Sequence, residues 1–153
     1  MAANTSPIFT LTPNISSILI ATTNAQVKSD GTSAGSGADL MYKVFTSGAN
    51  GSFLDKIRFF SVASAAATTG VATTLRAYLS TVASPGATAN TDTFLLGEVS
   101  VPAISSSHST NATNYYEIVL GIVVQTGRYV HVSQHVAQTT NQAWMSMAFG
   151  GDF

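Results

Sequence analysis

The chain has no cysteine. Disulfides and thiolate metal sites are therefore excluded, and stability must come from the packed core. The compartment stays open, because an extracellular particle can be built without disulfides. Charge is the second scarcity. Only 8 % of residues are charged, against about 25 % in ordinary soluble domains. Hydrophobic content is nevertheless 45 %, so Ser, Thr, Asn and Ala occupy the places that charge has left. Disorder goes with low hydrophobicity and high charge, which is the opposite pattern. Burying a charge is costly unless it is paired, and interface cores are poor in charge. A surface this neutral is cheap to bury. The composition therefore predicts that much of it lies in contacts, through homo-oligomerisation or docking.

Basic residues are also few. Lys and Arg number 6, spread from Lys28 to Arg128, and the net charge is −1. Nucleic-acid binders advertise a basic face, because phosphate neutralisation dominates their affinity. Lys56 and Arg58 share a strand face, but two cations make no patch, so nucleic acid is set aside. No segment approaches the ~18 apolar residues of a membrane-spanning helix. The start, Met1 to Pro7, has no basic n-region, and Ile18-Leu19-Ile20 is too short for a signal-peptide core. The chain is expected to be made and folded in the cytoplasm, with any external location reached by assembly or lysis. The sequons at Asn14, Asn50 and Asn111 then read as chance in a chain rich in Ser, Thr and Asn.

What is present is β-pattern. A chain of 153 residues is one domain on length, and it can bury roughly 68–70 % of its unfolded surface. Two segments organise it. Gly48-Ala49-Asn50-Gly51 is a turn signal leading into the apolar strand Ser52–Val62. Thr74–Ser80 alternates, with Leu75, Ala77 and Leu79 on one face and Arg76, Tyr78 and Ser80 on the other, as a half-buried strand requires. Further strands are expected over Ile15–Thr22, Leu40–Thr46, Phe94–Val101 with a break at Gly97, Tyr115–Val124, Arg128–Val136 and Ala143–Phe149. Ala63–Gly70 and Ser105–Asn111 read as loops. Pro13 is expected to interrupt the N-terminal segment, because proline removes a backbone donor. That leaves an arm over about residues 1–13 and a flexible Gly/Ser loop over about residues 23–39. About eight antiparallel strands with regular turn signals predict an all-β fold: a single antiparallel sandwich of jelly-roll type, with an immunoglobulin-like sandwich as the alternative.

No chemistry stands out. The acids form no local pair, and there is no nucleophile elbow or phosphate-binding glycine loop, so the chain is read as no enzyme, with no cofactor. His131 and His135 are four residues apart, which on a strand is about 13 Å and too far for one metal. They read instead as a polar strip, exposed or at a subunit interface, that protonation near pH 6 would loosen. Tyr115 and Trp144 are candidates for a glycan platform. The competing reading puts Tyr116 and Trp144 in the core and Tyr115 at an interface or rim. Phe153 follows Gly150-Gly151-Asp152 at the C-terminus, and an apolar ring is costly to leave in water. It is expected to pack, on its own domain or on a neighbour. Ile8, Phe9 and Leu11 are expected either to reach across subunits or to form an edge strand of their own sandwich.

Three stretches carry a resemblance: Met1-Ala2-Ala3-Asn4-Thr5-Ser6-Pro7-Ile8-Phe9-Thr10-Leu11-Thr12-Pro13-Asn14, then Gly48-Ala49-Asn50-Gly51-Ser52-Phe53-Leu54-Asp55-Lys56-Ile57-Arg58-Phe59, and Phe149-Gly150-Gly151-Asp152-Phe153. Together they resemble small β-rich virion proteins of tailed bacteriophages. The nearest role is capsid decoration, or cement. The resemblance implies an oligomer, a trimer by preference, that binds the major capsid protein on the outside of the shell and braces neighbouring capsomers. It carries no catalytic residues. Contact residues expected on this reading are Ile8, Phe9, Leu11, Tyr115, His131, His135 and Phe153. A receptor- or glycan-binding head of a fibre or spike is the alternative function, and a tail or neck component is a third.

Overall fold

The computed structural model describes residues 10–21, 41–66, 68–83, 93–107, 109 and 115–153. All regular structure among them is β. Ten strands form: β1 Thr12–Ile20, β2 Tyr42–Thr46, β3 Ser52–Ala63, β4 Thr68–Thr69, β5 Thr73–Ser80, β6 Thr93–Val101, β7 Ser105–Ser106, β8 Tyr115–Val124, β9 Tyr129–Gln134 and β10 Gln142–Asp152. Two four-stranded antiparallel sheets pack face to face as a β-sandwich. Sheet A has the order β1-β10-β3-β8, and sheet B has the order β2-β9-β5-β6. The pairing is nested. The first strand pairs with the last, β2 with β9, β3 with β8 and β5 with β6. An immunoglobulin-like order, which pairs the first two strands in one sheet, is not the order found.

The core lies between the inner faces. Leu54, Ile57 and Phe59 of β3 meet Leu75 and Ala77 of β5, Val130 and Val132 of β9, and Trp144 and Ala148 of β10. All of these are inaccessible or nearly so. The sandwich is fastened at its sides. On one side, the Ser16 hydroxyl donates to the Val44 carbonyl, and the Asn14 amide donates to the Thr46 carbonyl at 3.0 Å. On the other, β6 approaches β8 so closely that a Cβ on Gly97 would meet the Ile118 side chain at 2.8 Å. The break expected at Gly97 is a bulge, where the β5–β6 register slips between Ala77 and Tyr78.

Three expectations need correction. Pro13 does not interrupt the N-terminal segment; it lies inside β1, opposite Gly151. Strand β1 is the edge of sheet A, and an edge strand has a side on which no backbone donor is needed. Thr12 and Pro13 thus belong to the sheet, and just before it the Leu11 amide donates to the Asp152 carbonyl at 2.7 Å. Residues 1–9 and the loop expected over residues 23–39 lie outside the described residues. Second, Ala63–Gly70 and Ser105–Asn111 are not only loops, because β4 and β7 pair within them. Gln142 holds that pairing: its amide donates to Ser61 at 2.5 Å and to Ser106 at 3.2 Å, and its oxygen accepts from Thr68 at 2.7 Å. Third, β5 and β9 are not half-buried. Arg76, Tyr78, Ser80, His131 and Ser133 are all buried on the face away from the core.

The turn Gly48–Gly51 forms as its sequence predicts, closed by the Gly51 amide on the Gly48 carbonyl at 3.1 Å. Gly51 has φ +90°, a conformation that side chains rarely adopt. The turn ties down the C-terminus. The Phe153 amide donates to the Gly51 carbonyl at 3.1 Å. Next to it, the Asp152 carboxylate accepts from Ser52 at 2.5 Å and from Asn14 at 2.7 Å. These bonds, Ser52 foremost, hold the Asp152 carboxyl below its ordinary value. Replacing Asp152 with alanine leaves the fully buried Ser52 hydroxyl without its acceptor, with only the Gly48 amide still bonded to it, and is expected to cost about 1–3 kcal/mol. Urea unfolding of the variant checks this.

Candidate functional site

The outer face of sheet A has the composition of an interior. Its strands are apolar on both sides. In β10, Trp144, Ser146 and Ala148 are buried on the inner face, whereas Met145, Met147 and Phe149 are half-exposed on the opposite face. In β3, Phe59 is buried and Phe60 faces out. The registers place these outward residues in rows across four strands. One row is Leu19, Met145, Phe60 and Tyr115; the next is Ser17, Met147, Arg58 and Glu117; the third is Ile15, Phe149, Lys56 and Val119. Phe53 and Val123 pair beyond them. Val119 is 72 % exposed, Val123 64 % and Ile15 59 %.

The three charged side chains in these rows bond one another, two cations sharing one carboxylate. Glu117 accepts from Arg58 at 2.6 Å and from Lys56 at 3.2 Å. The Arg58 hydrogen bond, more than any other cause, holds the Glu117 carboxyl below its ordinary value. The Arg58 guanidinium lies 4.3 Å from the Tyr115 ring centre and 5.4 Å from that of Phe149. Such stacking anchors a cation over apolar surface. The outcome is a broad, mostly apolar sheet face with one polar patch whose charged groups are bonded to one another. A cleft of about 410 Å³ continues it at the Leu19 end, lined by Ala21, Val62, Ala143 and Asn141 among others.

The residues expected to make contacts do not form one site. Tyr115 lies on this face and is 53 % exposed. Leu11 is 80 % exposed at the far end of the edge strand. Phe153 is half-buried against its own Gly48–Gly51 turn. Ile8 and Phe9 lie outside the described residues. His135 is on the sheet B side, with Nδ1 3.3 Å from Arg76, which also bonds Glu98 at 3.0 Å. His131 is a correction: it is fully buried within one chain, so it has no surface to give a partner. Its Nε2–H donates to the Val82 carbonyl at 2.9 Å, because the chain leaving β5 crosses the outer face of β9. Trp144, a candidate for a glycan platform, is 1 % exposed and belongs to the core, and the half-buried Tyr116 ring packs edge-on against it at 5.9 Å. Among the described residues no group of three or more His, Asp or Glu is placed to hold a metal ion.

The polar-strip idea therefore moves indoors. Burial pushes the His131 imidazole below its ordinary value, outweighing the raising effect of the Val82 carbonyl. The folded chain then binds its proton less readily than the unfolded chain. Below about pH 6.5 the unfolded chain holds more protons, so stability falls as pH drops through that value towards the lower folded one. The melting temperature is expected to decline from pH 7 to pH 5, and His131→Gln is expected to flatten that slope.

The signal that sequence reading missed was the second apolar face. Antiparallel sheets with one face in water alternate apolar and polar residues. The Met145, Met147, Phe149 alternation and the Phe59-Phe60 pair break that rule, and they mark a sheet that needs a cover on both sides. Comparison with protein-family models, with curated proteins and with solved structures found no match.

Proposed function

We propose that this chain is a structural virion protein that works by contact, decorating the outside of a phage capsid and stabilising it by oligomeric contacts across capsomer seams. The observation that supports contact as the mode of action is the outer face of sheet A. Apolar patches larger than a few hundred Å² are rare on monomers and mark interaction surfaces. The phage setting comes from the resemblance of the two chain ends and the central strand. The nested strand pairing supports a jelly-roll winding, which is common in capsid domains.

The chemistry of the face favours protein over other partners. Its two cations already serve Glu117 and the neighbouring rings, so they offer phosphates little. A glycan-binding head keeps Tyr115 as an exposed aromatic but loses Trp144. The test is to mix the purified protein with undecorated shells of the phage that encodes it. Binding that saturates at a fixed copy number and raises the heat tolerance of the shells is the expected result. Saturating protein that leaves the shells bare would overturn the reading.

A further inference from the structure

We infer that the outer face of sheet A is covered by a second copy of this chain, packed sheet on sheet about a two-fold axis that runs along the strands between β10 and β3. This rests on the reading of the chain as an assembly protein and names the partner of that face. Two properties of the face select a copy of itself.

The first is size. Four strands spaced 4.7–4.9 Å, over about ten residues each, outline roughly 600 Å² before side-chain relief is added. Stable interfaces take about 600–1,000 Å² from each partner. One such face meeting another reaches the lower end of that range without help from loops.

The second is charge. An axis along the strands keeps each row at its own level and sets β1 opposite β8 of the second copy, and β10 opposite β3. Leu19 then faces Tyr115, Met145 faces Phe60, and Ile15 faces Val119. In the other pairs Ser17 faces Glu117, Met147 faces Arg58 and Phe149 faces Lys56. No charge is set directly on its like, and each cation that faces an apolar side chain keeps Glu117 of its own chain as partner. The perpendicular axis would set each strand on itself, bringing Arg58 onto Arg58 and Glu117 onto Glu117, which is repulsive. Two stacked sheets of this kind sit about 10 Å apart with side chains interdigitated. Such an isologous contact makes a dimer, in place of the trimer that the resemblance implies.

The chain has no native cysteine, so cross-linking can be read cleanly. Within one chain Leu19 and Tyr115 are three strand spacings apart, about 14 Å, which no disulfide spans. Facing residues on sheets about 10 Å apart are joined by a short bis-maleimide rather than by a direct disulfide, so the double variant L19C/Y115C is expected to be linked into a dimer by that reagent on a denaturing gel, while L19C/I15C, which reports the perpendicular axis, stays unlinked. Native mass of the wild-type chain is expected to be twice the monomer. A wild type that stays monomeric up to its solubility limit, or cross-linking through L19C/I15C instead, overturns the pairing. A monomer that still binds shells overturns the pairing alone and leaves decoration standing. A cross-linked dimer that ignores shells supports the pairing and counts against decoration.

Discussion

Trp144→Ala is expected to remove about 3–5 kcal/mol of stability, as large aromatic truncations in cores do. Domains of this size hold about 5–15 kcal/mol in total, so the variant will be close to unfolding at 37 °C. The magnitude follows from position. Trp144 sits in the middle of sheet A, paired with Ile20 on one side and Ser61 on the other. Its ring is 1 % exposed and meets Tyr116 edge-on. No smaller side chain can fill that space, because the neighbouring strands are fixed by their ladders. Trp144 is the sole tryptophan, so unfolding should be followed by far-UV circular dichroism rather than by fluorescence. A loss below about 1 kcal/mol, the range of surface substitutions, would place Trp144 outside the core.

Ile15→Lys with Leu19→Lys is expected to leave the fold intact and weaken self-association at least about 100-fold, which is about 2.7 kcal/mol. Both residues are exposed in the single chain, at 59 % and 46 %. Both lie on the edge strand β1, where lysine is a common natural residue. The free chain can extend both ammonium groups into water, so at a dilution where both proteins are single chains its melting temperature should hardly move. In the paired state each cation would face an apolar residue, and an unpaired buried charge costs several kcal/mol. Sedimentation across a concentration series reads the effect. Unchanged association together with an unchanged melting temperature would show that this face is not the contact.

The fold was legible where alternation was clean. Strand β8 starts and ends where Tyr115 and Val124 place it, and its inward set of Ile118 and Leu120 belongs to the core or packs on it. The turn at Gly48–Gly51 and the bulge beside Gly97 were legible for the same local reason: glycine marks the backbone positions that other residues resist. Burial of the second face was not legible. In β9 the alternation of Val with His and Ser reads as one wet side. Yet the chain after β5 turns over that side and gives the Val82 carbonyl to His131, a contact between residues 49 positions apart. The pairing of β4 with β7 was hidden too, because its partners are Thr, Ser and Gln with no apolar period to reveal them.

The candidate site shows the same limit. Tyr115 was found because it is aromatic and sits beside the core residue Tyr116. Ile15, Met145, Met147 and Phe149 were placed on strands but assigned to no face, and only the register shows them lined up on the far side of sheet A. The low charge of the whole chain was the honest clue to this face, but composition has no address. It tells how cheaply a surface can be buried, not which surface.

The most direct test of the account is oxidation footprinting of the methionines, in the assembled protein and in the same protein diluted to single chains. Met145 and Met147 are half-exposed on the outer face of sheet A, whereas Met41 is 9 % exposed and serves as the buried reference. Met145 and Met147 are expected to oxidise readily in the dilute chain and to become protected on assembly, while Met41 does not change. Equal oxidation of Met145 and Met147 in both states would show that the face stays in water, and it would contradict the claim that this protein works through it.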